Sequence, residues 1–197
     1  MAKMTQAEKD AYNSFKKLMA KPTKLKSSDF YPGALIMYVY DAMDKSQAYD
    51  NRPLGLILGR SKKYTLALNF NWCPPKLREK ILDGIMKQNK ANIKANRPLR
   101  VNYQTVKKLV KGLGPVVRLY INKRISPKGV VVPSYQYYKI VNLRSEHFIG
   151  ISSKAAWAFA IAGQKAKKKA AAAAKKQRKI DAANAQRRLD RANKGKK

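Results

Sequence analysis

The chain has 197 residues and sets 44 Lys and Arg against 11 Asp and Glu, a net charge of +33. Cations at that density repel one another unless a polyanion neutralises them, which points first to nucleic acid and second to an anionic membrane surface. A single cysteine, Cys73, excludes an internal disulfide and a thiolate metal site, and no run approaches the roughly 18 apolar residues of a membrane span.

Residues 1–28 form the first zone. Thr5 is followed three residues later by Glu8, a capping-box spacing, and Tyr12, Phe15, Leu18 and Met19 then share one helical face. The spacing predicts a short amphipathic helix over residues 5–20, without the apolar core of a signal peptide. Pro22 and Ser27-Ser28 mark residues 21–28 as a linker.

Residues 29–162 read as a globular DNA-binding domain of α+β class. Three apolar, aromatic runs at 34–40, 53–58 and 64–70 predict strands, and together they suggest a small twisted sheet or an SH3-like barrel with short flanking helices. The polar stretch 41–52 between them reads as a surface connection. Pro74-Pro75 opens a helix with Leu77, Ile81, Leu82 and Ile85 as its apolar stripe. Asn102 is placed to cap another helix carrying Val106, Leu109 and Val110, stopped by Gly112 and Gly114. Ser126-Pro127-Lys128-Gly129 has the composition of a hairpin turn between strands at 116–125 and 130–132. Residues 133–141 fit helix and strand equally, because Tyr135, Tyr138 and Val141 have helical spacing that Tyr137 breaks. A last strand is expected at 148–151.

Residues 163–197 are a basic tail. It holds fourteen Lys or Arg against Asp181 and Asp190, a net +12, which leaves +21 on the rest of the chain. Ala, Lys, Arg and Gln favour helix, but with no sustained apolar face and many like charges the helix should form mainly along a polyanion. A membrane-binding helix needs bulky apolar residues opposite its lysines, and this tail lacks them.

The cations expected to meet nucleic acid fall into clusters. In the body these are Lys62 and Lys63; Arg97 and Arg100 within the basic stretch 87–100; Lys107, Lys108 and Lys111; and Lys123, Arg124 and Lys128. In the tail they are Lys165, Lys167, Lys168, Lys169, Lys175, Lys176, Arg178, Lys179, Arg187 and Arg188. Phosphate contacts of this kind carry no sequence information, so little base specificity is expected. Tyr38, Tyr40, Tyr64, Phe70, Trp72, Tyr135, Tyr137 and Tyr138 lie among aliphatics, and core packing is the better account of them than stacking on bases. Catalytic machinery is sparse: His147 is the only histidine, Cys73 reads as a buried structural thiol, and Asp41, Asp44 and Asp50 are the one acidic cluster. The chain is therefore read as non-enzymatic, with no cofactor and no metal.

A family resemblance runs through the same residues. Tyr31-Pro32-Gly33, Tyr38-Val39-Tyr40-Asp41 and Tyr49-Asp50-Asn51-Arg52-Pro53-Leu54 come first, then Leu66-Ala67-Leu68-Asn69, Pro74-Pro75 and Leu77-Arg78. Arg144-Ser145, Phe148-Ile149, Trp157 and Ala160 complete the order. In order and spacing this stretch resembles the DNA end protector proteins of tailed bacteriophages (T4-like), with the Lys/Ala-rich tail as an addition. The resemblance implies a virion protein in the phage head or neck, assembled in the host cytoplasm. It would bind the ends of packaged linear double-stranded DNA, shield them from exonuclease and assist head completion. Portal, neck or other virion proteins are the implied protein partners, and no membrane. It brings no catalytic residues, and it makes Asp41 and Asp50 turn-capping residues around the first strands. A structural neck or internal head protein, or an RNA-binding or ribosome-associated protein, are the alternatives.

Overall fold

A computed structural model describes residues 20–162 except Ser46, Asn96, Pro115 and Arg144, together with Gln6, Lys9, Tyr12, Asn13, Lys16 and Lys17, and with Lys169, Ala173, Ala174, Gln177, Arg178 and Asp181. The protein is α+β, as expected. Its main sheet uses β1 (Thr23–Lys24), β2 (Leu35–Tyr40), β4 (Leu54–Arg60), β5 (Tyr64–Asn69), β6 (Val117–Ile121) and β7 (Ile125–Val132). They are arranged in the order β1-β7-β2-β4-β5-β6, each pair antiparallel. A two-stranded ladder joins β3 (Tyr49–Asp50) to β8 (Phe148–Ile149).

The sheet is strongly curled. β2 and β6 are three strands apart, about 14 Å on a flat sheet. Yet the Tyr38 and Tyr120 rings meet edge-on with centroids 5.5 Å apart, and Tyr40 meets Tyr120 at 4.9 Å. The 3-10 turn Asn122–Arg124 carries the chain directly from β6 to β7, which lies beyond β2 in the order. This is the strand path of an SH3-like barrel. Phe30, Ile36, Tyr38, Ile57, Ala67 and Tyr120 form a small cluster on one side of the sheet. Leu35, Met37, Leu56 and Leu68 alternate with them and enter the main core on the other. Both faces of the central strands are covered, so their sequences run nearly continuously apolar.

The helices Pro75–Gln88, Lys90–Lys94 and Tyr103–Leu109 are inserted between β5 and β6. Pro75 starts the first, and Asn102 caps the third by accepting the Gln104 N–H at 2.7 Å. A 3-10 turn, Ser134–Gln136, runs into the helix Tyr137–Val141, which resolves the ambiguous stretch as helical. Residues 153–162 are helical, with Ala156 and Ala160 buried. Gly114 sits so close to this helix that a Cβ there would lie 3.1 Å from the Ala160 Cα.

Three expectations are corrected. Ser126, Pro127, Lys128 and Gly129 are not a turn but lie inside β7. Between the Tyr38–Gly129 and Tyr40–Ile125 pairs, two steps of β2 face four of β7, so the proline occupies a bulge where its missing N–H is tolerated. Gly129 is required by close approach, since a Cβ would lie 2.6 Å from the Met37 carbonyl oxygen. The linker 21–28 contains β1, paired to β7, and the 3-10 turn Ser27–Asp29. The connection 41–52 is not all surface, because Asp50 is buried. The helix expected over residues 5–20 lies largely outside the described residues; of those described there, Gln6, Lys9, Tyr12, Asn13, Lys16 and Lys17 are helical and Ala20 is in a turn.

Arg78 is fully buried beside the apolar stripe, on the helix face of Ile81, Leu82 and Ile85. Its guanidinium donates to the carbonyls of Cys73 (2.7 Å), Leu143 (2.9 Å), Val141 (3.3 Å) and Asn71 (3.4 Å), and to the Glu146 carboxylate. Replacing Arg78 with Ala strands these acceptors, Glu146 among them, and should lower unfolding stability by about 3–5 kcal/mol. Arg78→Lys should restore little, since one ammonium cannot reproduce the planar fork. Urea denaturation measures both, and a loss below about 1 kcal/mol would contradict this account.

Candidate nucleic-acid interface

The first group of cations is assembled by Asn122. Its N–H donates to the Lys63 carbonyl (2.9 Å), and its amide donates to the carbonyls of Ser61 (2.8 Å) and Lys62 (3.2 Å). Its Oδ1 accepts from the buried Thr65 hydroxyl at 2.6 Å. The β4–β5 tip is thereby clamped to the Asn122–Arg124 turn, bringing Lys62, Lys63 and Lys123 together, all exposed. Arg124 is differently engaged: its Nη1 lies 3.2 Å from Asp41 Oδ2, and Lys45 pairs with Asp41 Oδ1 at 3.1 Å. Asp41 thus serves as an ion-pair partner, whereas Asp50 does cap a turn, accepting the Arg52 N–H at 3.1 Å.

Lys128 continues this group along β7, which begins at Ile125 directly after the Asn122–Arg124 turn. In the β1–β7 ladder Lys24 stands directly opposite Lys128, both exposed. Like charges facing across strands destabilise a sheet. Lys24 was not singled out by sequence reasoning because β1 was read as linker; only the pairing reveals it.

A second group lies on the helical insert. Arg97 and Arg100 are exposed on the segment leading to Asn102, and Lys107, Lys108 and Lys111 are exposed on and just after the helix that Asn102 caps. Lys107 Nζ sits 6.0 Å from the Tyr103 ring centroid. The two groups belong to different parts of the fold, the curled sheet and its insert. In the tail, Lys169 and Arg178 are helical and exposed. Lys165, Lys167, Lys168, Lys175, Lys176, Lys179, Arg187 and Arg188 lie outside the described residues.

Of the aromatic residues, Tyr38, Phe70, Trp72 and Tyr137 are buried and Tyr40 is partly so, whereas Tyr64, Tyr135 and Tyr138 are exposed. Tyr31, which the sequence offered only within the Tyr31-Pro32-Gly33 motif, is also exposed and lines one recess with Arg97 and Arg100.

Of the acidic cluster, Asp44 and Asp50 line one recess, and Asp41 is not among its lining residues. Asp50 accepts from Asn69 Nδ2 and Asn71 Nδ2, each at 2.9 Å. Burial raises its pKa above the usual carboxylate range, and these amides together with the Arg52 and His147 backbones oppose that rise. Among the described residues, no group of three or more His, Cys, Asp or Glu is arranged to hold a metal ion. Burial pushes the Cys73 thiol up to about 12, with Arg78 acting weakly the other way. No helix among the described residues is long and apolar enough to cross a membrane.

Fold and surface together define a small α+β protein in which, among the described residues, most acids are engaged in internal or paired contacts while many cations stay exposed. A family model described as "Phage T4 terminal DNA protecting protein" matches residues 2–161. The chain belongs to that family. The match begins well before Tyr31, where the quoted motifs start, and ends before the basic tail. Comparison with curated proteins and with solved structures gives no match.

Reversing one member of the facing lysine pair tests the ladder. Lys128→Glu should raise stability by up to about 1 kcal/mol in low salt, a gain that fades in high salt. Chemical denaturation at two ionic strengths reads this out. Cys73 should resist a thiol reagent at pH 8 in the native protein and react once guanidinium unfolds it; rapid native labelling would place the thiol at the surface.

Proposed function

We propose that this protein is a non-enzymatic, sequence-independent DNA-binding component of a phage virion. It holds the ends of packaged linear double-stranded DNA, shields them from exonuclease and assists head completion, in the head or neck and in contact with portal, neck or other virion proteins. Family membership over residues 2–161 is the observation that carries this reading. Electrostatics supplies its mechanism: 44 basic residues against 11 acidic ones favour a phosphate polymer as counter-ion.

Residues 29–162 are the DNA-binding body in this reading, with 1–28 as an N-terminal extension and 163–197 as an accessory arm. The body binds through Lys62, Lys63 and Lys123, through Lys24 and Lys128, and through the cations of the helical insert. Arg124 contributes less, because Asp41 already accompanies it. The tail lies outside the family match and adds a net +12, so it strengthens binding without defining it.

On linear duplex DNA, log K should fall with log salt at a slope of about −0.9 per phosphate neutralised. Truncation after Gly163 should make the slope shallower and leave the circular dichroism of the body unchanged. Filter binding across a salt series measures the slope, and one near zero for the full chain defeats the proposal. Retention on portal or capsid protein after nuclease treatment would favour a purely structural virion role. Equal competition by duplex RNA at matched salt would favour the RNA-binding alternative.

A further inference from the structure

An end of duplex DNA differs from its interior in two chemical features: the face of the last base pair is uncovered, and a strand terminus carries its phosphate outside the continuous backbone. A protein selecting ends needs an apolar, aromatic surface for the first and cations placed beside it for the second. Among the described residues two recesses combine both, one with Tyr103, Lys107 and Lys111 and one with Tyr31, Arg97 and Arg100, and the second has guanidinium forks that match a phosphate. This second recess measures about 710 Å³, within the range of small-ligand sites, and it is walled by Tyr31, Pro32, Pro98 and Leu99 with Arg97 and Arg100 at its side. None of the residues lining it is acidic.

The recess is built on fixed backbone. Gly33 takes φ 103° and packs so tightly that a Cβ would fall 2.2 Å from the Leu99 carbonyl oxygen, which presses the Tyr31 turn onto this segment. The Tyr137 hydroxyl donates to the Gly33 carbonyl at 2.9 Å and holds the turn from below. On the other wall, the Arg97 N–H donates to the Asn92 carbonyl (2.8 Å), and the Arg100 N–H donates to Oδ1 of the buried Asn89 (2.8 Å). Tyr31 remains 40% exposed above this frame. Surfaces held in place before binding lose little entropy when a ligand arrives.

We infer that this recess receives the terminal base pair of a DNA duplex, stacked against Tyr31, with its terminal phosphate held by Arg97 and Arg100. The inference rests on the DNA-binding reading above and adds to it the feature that separates ends from interior duplex. Lysines elsewhere bind any phosphate; in this reading the recess takes a base whose face is uncovered, which duplex interior does not offer.

The test compares two short duplexes of one sequence, one with blunt 5′-phosphorylated ends and one closed by hairpin loops, using the full chain. The wild type should prefer open ends by about tenfold or more, the range expected for one base–aromatic stack. A 2-aminopurine at the terminal position should lose fluorescence on binding. Tyr31→Ala should abolish the preference and the quenching while binding to the closed duplex is kept, and Tyr31→Phe should retain both. Arg97→Gln with Arg100→Gln should remove discrimination between 5′-phosphate and 5′-hydroxyl ends. Equal binding of open and closed duplex by the wild type, or an end preference that survives Tyr31→Ala, overturns this inference and leaves general DNA binding standing. Failure to bind either duplex overturns the proposed function itself.

Discussion

The arrangement depends on one buried cation. A guanidinium removed from water is very unfavourable unless each donor finds an acceptor, and Arg78 finds four carbonyls and a carboxylate. Those acceptors come from the turn after β5, the end of the Tyr137–Val141 helix and the approach to β8. The sheet ladder does not tie these segments together. Asn71 extends the same connection: its carbonyl accepts from Arg78 and from Trp157 Nε1 (2.9 Å), while its amide reaches Asp50. Asp50 in turn is linked through Asn69 to the Tyr120 hydroxyl inside the curl of the sheet. One continuous polar path therefore runs from inside the curl of the sheet to the helix at 153–162, and its Arg78 and Asp50 branches meet at Asn71.

That interior explains the exterior. Among the described residues, Asp50 and Glu146 serve buried contacts, Asp41 joins Lys45 and Arg124, Asp29 caps its own turn through the Lys26 N–H, and Asp83 accepts from the Tyr138 hydroxyl. With acids few and most of them engaged in this way, most of the described lysines make no ion pair with an acid. The facing Lys24 and Lys128 show the same imbalance at the scale of one ladder pair. A surface organised so is unfavourable to the isolated fold and favourable beside a phosphate polymer.

Much of this was legible in the sequence where a local rule and the fold agree. The central strands announced themselves as apolar runs because both their faces are covered, Pro74-Pro75 began a helix, and Asn102 capped one. Local chemistry misled where tertiary pairing overruled it. Ser126 to Gly129 has turn composition, yet β1 and β2 hold it in a strand, with the proline absorbed by a bulge and the glycine by a close carbonyl. Arg78 carried a signal that was passed over: positions 78, 81, 82 and 85 have the i, i+3, i+4, i+7 spacing of a buried face, and reading the stripe from Leu77 hid the cation within it. The burial of Asp50 had no local signature, because its partners Asn69 and Asn71 are about twenty residues away in sequence. Among the expected binding residues, the sequence showed which side chains were basic. Which of them meet was decided by contacts such as the Asn122 clamp and the β1–β7 register.

Charge alone cannot account for a protein that occupies ends. A linear duplex has two termini, while every internal phosphate competes for the same lysines, so the quantity that governs occupancy is the ratio of end to internal affinity weighted by the number of internal sites. Additional surface lysines raise both affinities together and leave that ratio unchanged. Only a contact available at a terminus alters it, and the chemistry of a terminus is an uncovered base and a free phosphate. On the proposed reading, the two parts of the fold therefore divide the work. The curled sheet and the tail hold the polymer by charge, and a rigid aromatic and arginine recess beside the helical insert supplies the term that depends on where the polymer stops.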